Sequence, residues 1–172
     1  MAMSAPHSLL VRHLGPDDAR DYRDIRLAAL KNAPDAFGST YEEEHTLSVE
    51  AFAKQVEATT VFGAFLDKQI RGMAGFARQQ GRKSTHKGLI WAMFVAPTVR
   101  GQGVGLALVE AALKHAATIV EQVTLKVVTD NVAAIALYEA MGFKTYGIEP
   151  KALKVGNGYA DELLMVRFLD DL

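Results

Sequence analysis

The run Arg100-Gly101-Gln102-Gly103-Val104-Gly105 stands between an apolar segment, Leu89 to Val95, and an amphipathic stretch, Leu106 to Ala117. A strand, a tight glycine turn and a helix start in that order leave several backbone N–H groups unpaired and aimed outward. The helix dipole favours negative charge at the same end. The turn therefore has the physics of a diphosphate cradle.

Three common glycine-rich turns use this physics for different ligands. A Walker loop ends in Gly-Lys-Ser or Gly-Lys-Thr, and here Gly105 is followed by Leu106. A dinucleotide fingerprint needs a third glycine three residues after the second; that place is Leu106, and the motif lies mid-chain rather than on a first strand. The remaining pattern is Arg or Gln, two residues, Gly, one residue, Gly or Ala. Arg100, Gly103 and Gly105 meet it. The segment resembles the pyrophosphate loop of the GCN5-related N-acetyltransferases (GNAT), which bind acetyl-coenzyme A. The resemblance implies that Arg100, Gly101, Gln102, Gly103, Val104 and Gly105 hold the pyrophosphate.

A second segment carries the same resemblance. Asn131, Ala134 and Tyr138 are spaced by three and four residues, so they share one face of a helix that follows the strand-like run Val123 to Val128. The spacing Asn131-x-x-Ala134-x-x-Leu137-Tyr138, with Met141-Gly142-Phe143 after it, is similar to the second signature of that family. In the family the tyrosine protonates the departing coenzyme A thiolate and the asparagine contacts the pantetheine arm, with Ala134 on the same cofactor face. The arm enters as a pseudo-strand along the backbone around Phe94 and Val95, provided that Leu89 to Val95 splays from Val123 to Val128. A phenol with an ordinary pKa of about 10 is protonated at neutral pH and suits proton donation. Tyr138 is the candidate catalytic residue.

Composition narrows the reaction. The chain has 172 residues, 49% hydrophobic and 23% charged, which fits one soluble globular domain over residues 1–172. A net charge of -1 gives no electrostatic reason to expect nucleic acid or an anionic membrane as partner. There is no cysteine, which removes disulfides, thiol nucleophiles and thiolate metal sites together, and no metal is expected. Acetyl transfer would then be direct, within a ternary complex, to a small-molecule or peptide amine. No apolar run approaches the roughly 20 residues of a membrane span, and Met1 to Ser8 lacks a basic region leading into an apolar core, so a cytoplasmic location is expected. The family often pairs through its final strands, which implies a possible homodimer.

Along the chain, Leu9 to His13 reads as a first strand, broken by Gly15-Pro16-Asp17. A helix follows, with Ala19, Tyr22, Ile25, Leu27, Ala29 and Leu30 near the helical period and an end near Asn32-Ala33-Pro34. Asp35 to Tyr41 reads as a loop, and Ser48 caps a second helix reaching about Ala58. Thr60 to Leu66 and Ile70 to Arg78 read as strands about an Asp67-Lys68-Gln69 turn. Gly81 to Thr85 is the next hairpin tip, before a third antiparallel strand at Leu89 to Val95. After the helix to Ala117 come strand Val123 to Val128, a helix capped at Asp130-Asn131 and ended by Gly142, and strands Phe143 to Ile148 and Glu162 to Phe168. Lys151 to Tyr159 reads as a looping connection between those two strands. The order β-α-α-β-β-β-α-β-α-β-β, an α/β (α+β) fold with a mixed, mostly antiparallel sheet flanked by helices, is also the one the resemblance implies.

The acceptor side is less determined. Many relatives carry an acidic residue on the strand before the glycine loop, but Leu89, Ile90, Trp91, Ala92, Met93 and Phe94 contain no ionisable group. The base is left open among His86, Asp161, Glu162, a water chain and an acceptor of low pKa. The walls of the acceptor site are expected from Asn32 to Tyr41, with Phe37, and from Gly156 to Glu162, with Tyr159, Asp161 and Glu162. The two carboxylates would favour an ammonium group, as on a polyamine, an amino acid or a protein amino terminus. Glu42-Glu43-Glu44 reads as a solvated face and Trp91 as core or cleft wall. Two function classes follow: an acetyl-coenzyme A dependent N-acetyltransferase, or a non-catalytic acyl-coenzyme A binding module. A dinucleotide-linked oxidoreductase is a third.

Overall fold

A computed structural model describes residues 8–169, so of the Met1 to Ser8 segment all but Ser8 lies outside the described residues. Seven strands form one open sheet: β1 (Leu9–His13), β2 (Thr60–Leu66), β3 (Gln69–Arg78), β4 (Lys87–Val95), β5 (Gln122–Val128), β6 (Lys144–Val155) and β7 (Gly158–Phe168). Their order across the sheet is β1-β2-β3-β4-β5-β7-β6. Neighbours are antiparallel except β4 and β5, which are parallel. Parallel strands need a crossover, and the helix after the glycine run supplies it.

The helices are α1 (Ala19–Asn32), α2 (Tyr41–Glu44), α3 (Val49–Ala58), α4 (Val104–Ala116) and α5 (Val132–Ala140). Helix α4 buries Leu108, Val109, Ala112 and Leu113 against Phe76, Ile90, Val123 and Leu125 on one face of the sheet. On the other face α1 and α3 bury Tyr22, Ile25, Phe52 and Val56 against Phe65, Met73 and Phe94. Burying each such side chain is worth about 1.5–3 kcal/mol, so both layers hold the sheet that carries the site. Among the described residues no helix is long and apolar enough to cross a membrane.

Three parts of the sequence reading change. Lys151 to Tyr159 is not a loop: β6 and β7 run on as one long hairpin, closed at Gly156 (φ +56°) and Asn157. Pro150 and a register shift between Glu149 and Leu153, with Lys151 at φ +54°, interrupt the alternation that marks a strand. An edge strand tolerates both, because the proline removes no central ladder bond. Asp35 to Tyr41 holds part of a 3-10 turn (Pro34–Ala36) and leads into the single turn of α2. Thr40 and Glu43 close a reciprocal capping box there. Finally, the Pro16-Asp17 helix start is a separate 3-10 turn, Pro16–Asp18, and α1 begins at Ala19.

Strands β4 and β5 position the cleft. They pair over only three residues each, Lys87 to Leu89 against Gln122 to Thr124, pinned by the Thr124 hydroxyl donating to the Gly88 carbonyl at 3.2 Å. Beyond that point β4 bulges: Ala92 and Met93 stand opposite the single residue Ala74 of β3, with Ala92 at φ +51°. A bulge bends its strand and ends regular pairing, so β4 leaves β5 and opens a gap in the sheet.

Candidate active site

The glycine turn sits at the mouth of that gap. Gly101 (φ +74°) and Gly103 (φ +80°) have the left-handed backbone that side chains disfavour, and a Cβ at either would meet nothing within 4 Å. Their requirement is conformational rather than one of space. The N–H groups of residues 101–106 find no acceptor among the described residues, and Ala107 is the first to bond back, to the Gly103 carbonyl at 3.0 Å. Six donors in sequence at a helix N-terminus form a binding surface for an anion with several oxygens. The Val104 side chain is 1% exposed and packs in the core, so it can offer only its backbone. Gly105 lets α5 approach α4, since a Cβ would lie 3.1 Å from Leu137 Cδ2. Gln102 turns its amide toward the Thr98 carbonyl.

The edge of β4 supplies a further donor. The Ala96 N–H donates to the Arg71 carbonyl at 2.8 Å, so by antiparallel alternation Phe94 bonds to β3 and Val95 directs its polar groups into the gap. The Arg100 Nε donates to the Val95 carbonyl at 3.1 Å, which leaves the Val95 N–H facing the gap.

Helix α5 forms the third side. Asn131 is its N-cap, with the side-chain oxygen accepting from the Ala134 N–H at 3.2 Å. Tyr138 is 5% exposed, packed edge to face on Phe143 with ring centroids 5.9 Å apart. Its hydroxyl has no hydrogen-bond partner among the described residues, yet it is not sealed in the core. Burial holds the phenol well above its ordinary pKa, hence protonated across the physiological range.

These parts meet in one cleft of about 550 Å³. Phe94, Val95, Arg100, Gly101, Gly103, Gly105, Asn131, Ala134 and Tyr138 all line it, while Gln102 and Val104 stand behind the turn. The cleft continues through the sheet to the α1 face, where Phe37 is the one expected acceptor residue on its wall. Tyr159 is 57% exposed, with the Lys151 ammonium 5.2 Å from its ring centroid, away from the cleft. The Asp161 carboxylate accepts the Lys151 N–H at 2.7 Å, which fastens the β6 bulge. Glu162 does not line the cleft, although it stands in register with Val128, which does. Burial raises its carboxyl pKa, with Glu149 adding to the effect and Lys126 opposing it. His86 lies at the paired end of β4 and β5, where its carbonyl accepts from Glu121 and Gln122, so it is remote from the open gap.

Nothing in the chain marks Lys126 as a cleft residue, whereas Trp91 takes one of the two places the sequence allows it, the cleft wall. Lys126 is on the wall, ion-paired with Glu149, and with Arg100 and Tyr138 it completes the ionisable lining. Trp91 lies on the wall across Gly75, whose Cβ would fall 2.3 Å from the indole. A glycine inside the β3 run was the available signal for such a close approach. Glu44, expected on a solvated face, instead forms a paired ion bridge with Arg26 at 2.8 and 2.7 Å, with side chains 12% and 9% exposed. No group of three or more His, Cys, Asp or Glu among the described residues is placed to hold a metal ion.

A model of the acetyltransferase (GNAT) family matches residues 25–143. Over 56 residues the chain is 45% identical to the peptidyl-lysine N-acetyltransferase YjaB of Salmonella typhimurium, covering 33% of this chain and 36% of YjaB. Over 88 residues it is 33% identical to the mycothiol acetyltransferase of Streptomyces griseus, covering 51% of this chain and 29% of that enzyme. The matches thus span about a third of the length of these curated relatives. Among solved structures, the acetyltransferase of the GNAT family from Streptococcus pneumoniae superposes with a TM-score of 0.83 at 22% identity, covering 94% of this chain and 99% of that one. The structure of yncA from Salmonella typhimurium, determined with its cofactor acetyl-CoA, gives 0.83 at 18% identity, with 95% of both chains covered. At these identities the likeness shows the fold.

Proposed function

The chain belongs to the acetyltransferase (GNAT) family, and we propose that it is an acetyltransferase that moves the acetyl group of acetyl-coenzyme A to a primary amine by direct attack in a ternary complex. One observation carries this reading: six unpaired N–H groups, the freed edge of β4 and the unpartnered Tyr138 hydroxyl surround one continuous cleft. A diphosphate-containing thioester fits that arrangement, and it supplies the activated acyl carbon. The cysteine-free chain has no thiol to carry an acyl group between substrates, which supports direct transfer.

The remaining chemistry falls to named groups. Residues 101–106 hold the pyrophosphate through backbone N–H groups, and the side-chain amide N–H of Asn131 meets the arm as it passes α5. The Val95 N–H, aimed into the gap, stabilises negative charge as it develops on the carbonyl oxygen. Tyr138 donates its proton to the leaving sulfur, and its burial keeps that proton in place until it is needed. We assign acceptance of the amine's proton, through water, to Glu162, since Asp161 is committed to Lys151 and His86 is remote. A raised carboxyl pKa brings that base closer to neutral pH, where proton transfer is most effective.

Among the described residues no carboxylate or histidine lines the cleft, which favours a second reading, an acyl-coenzyme A binding module without turnover. Tyr138→Phe, assayed for thiol release against an amine panel with acetyl-coenzyme A affinity measured in parallel, separates the two. The expected result is a loss of about 10²–10⁴ in kcat with affinity within about twofold of the parent. Unchanged turnover sinks the tyrosine assignment. Tight binding with no turnover of any amine by the parent protein supports the binding module.

A further inference from the structure

The α1 face of the cleft carries chemistry opposite to what Asp161 and Glu162 suggested. Its wall is mostly apolar, from Ala33, Ala36, Phe37, Trp91 and Ala92, with Asn32, whose side-chain amide donates to the Ala28 carbonyl, at its edge. Lys126 is its one charged member, and that ammonium is already matched by Glu149. A polyamine would bring two or more ammonium groups into this space and find, among the described residues, no carboxylate on the lining to receive them. An apolar carbon frame, in contrast, would leave water for a surface of its own kind.

Phe37 is the wall residue whose position is most elaborately fixed. Arg26 of α1 places its guanidinium 5.4 Å from the Phe37 ring centroid. That guanidinium is itself clamped by both oxygens of Glu44, from α2, with the two side chains nearly buried. The capping box of Thr40 and Glu43 sets the helical turn that brings Glu44 to Arg26. A bidentate pair has one geometry, so the segment from Phe37 to Glu44 is docked on α1 in a defined position.

We infer that the acceptor is a primary amine on an apolar body seated against Phe37 and Trp91, and that the buried Arg26–Glu44 pair is the positioning device that keeps Phe37 there. This rests on the acetyl-transfer reading above. The shared chemistry is an apolar group next to a primary amine, whether on a free arylalkylamine or on a peptide with an apolar first residue.

The test is a comparison of kcat/KM for 2-phenylethylamine, a peptide beginning with phenylalanine, putrescine and spermidine at saturating acetyl-coenzyme A. One or both of the first two should exceed the polyamines by about tenfold or more, and the better of them identifies the source. Polyamines that equal or exceed both overturn the inference. For the preferred amine, Phe37→Ala and Glu44→Gln should each raise KM about tenfold, leave acetyl-coenzyme A affinity within about twofold, and combine less than additively. Glu44→Asp, which keeps the charge, should recover part of the loss. An unchanged KM, or full additivity, removes the positioning role. Should no amine be turned over, the failure belongs to the transfer reading, and binding decides the inference. Trp91, the one tryptophan in the chain, then reports titrations of the coenzyme A-loaded protein. A saturable fluorescence change with 2-phenylethylamine at concentrations where spermidine gives none supports the inference; equal responses, or none to either, overturn it.

Discussion

The α4 side of the cleft presents mainly backbone groups, and the α1 side mainly side chains. On the first side, Gly101, Gly103 and the opening turn of α4 present N–H groups whose direction is set by chain conformation within one short segment. On the second, Phe37, Trp91 and Lys126 come from separate parts of the chain and meet only because the sheet and α1 bring them together, with Glu162 behind the wall in register with Val128. A backbone device tolerates change in most side chains but not in the few glycines that shape it. A side-chain wall can be rebuilt by single substitutions, which would suit the half proposed to tell one acceptor from another. The family match covers both sides of the cleft but ends at Phe143, before the β6–β7 hairpin that carries Glu149 and Glu162.

The comparison is most severely tested at Glu44. Burial alone would raise its carboxyl pKa, but the Arg26 hydrogen bonds more than reverse this and hold it below the ordinary value of 4.5. A group whose folded pKa is depressed stabilises the fold above its unfolded pKa and loses that contribution as pH falls through the folded value. Glu44→Gln should therefore cost about 3 kcal/mol near pH 7, because an unmatched guanidinium stays buried, and the gap to the parent should shrink below about pH 4.5. Urea unfolding at several pH values measures it. If acetyl-coenzyme A affinity falls along with stability, the two sides are not independent and the contrast fails.

Gly103→Val probes the other side. A β-branched residue at φ +80° is strained by roughly 1–2 kcal/mol and shifts the N–H groups that follow it. Acetyl-coenzyme A affinity, read by calorimetry, should drop about thirtyfold. Arg100→Ala removes a side chain that serves the Val95 carbonyl, and its cost should be several times smaller. A reversed ranking would mean that side-chain charge, not backbone, dominates the cradle.

What the sequence disclosed follows the same division. Arg100 to Gly105 and Asn131 to Tyr138 each lie in one short stretch, so spacing alone places their groups on a turn or a helix face. Glu44 and Arg26 are 18 residues apart, and nothing local marks one as the partner of the other. Charge runs are usually solvated, and only the docking of α2 takes Glu44 out of water. The hairpin was misread for a related reason. Pro150 and Lys151 argue locally for a loop, and the compensation is tertiary: the Asp161 carboxylate on the neighbouring strand accepts the displaced N–H.

Glu162 offers a smaller effect with a distinct signature. As proton acceptor it must be ionised, so kcat/KM should fall as pH drops through a value above the ordinary carboxyl range. Glu162→Gln should lower kcat/KM about tenfold above that limb and abolish the limb itself, while Tyr138→Phe keeps it. A limb that survives in Glu162→Gln assigns the base elsewhere.

The smallest expected change is at Ala92, where the two halves divide. Its φ of +51° is unusual for a residue with a Cβ, and it sits in the bulge that turns β4 from β5. Glycine there relieves left-handed strain but gains freedom in the unfolded chain, and the two effects nearly cancel. Ala92→Gly should move stability by less than about 1 kcal/mol and leave acetyl-coenzyme A affinity unchanged. Ala92→Val lacks that relief and should lose stability and affinity together, because the branched side chain favours the extended backbone that would draw β4 back toward β5. If valine is accepted without loss, the gap does not depend on the bulge, and the opening of the sheet must instead be held by the packing of Trp91 across Gly75.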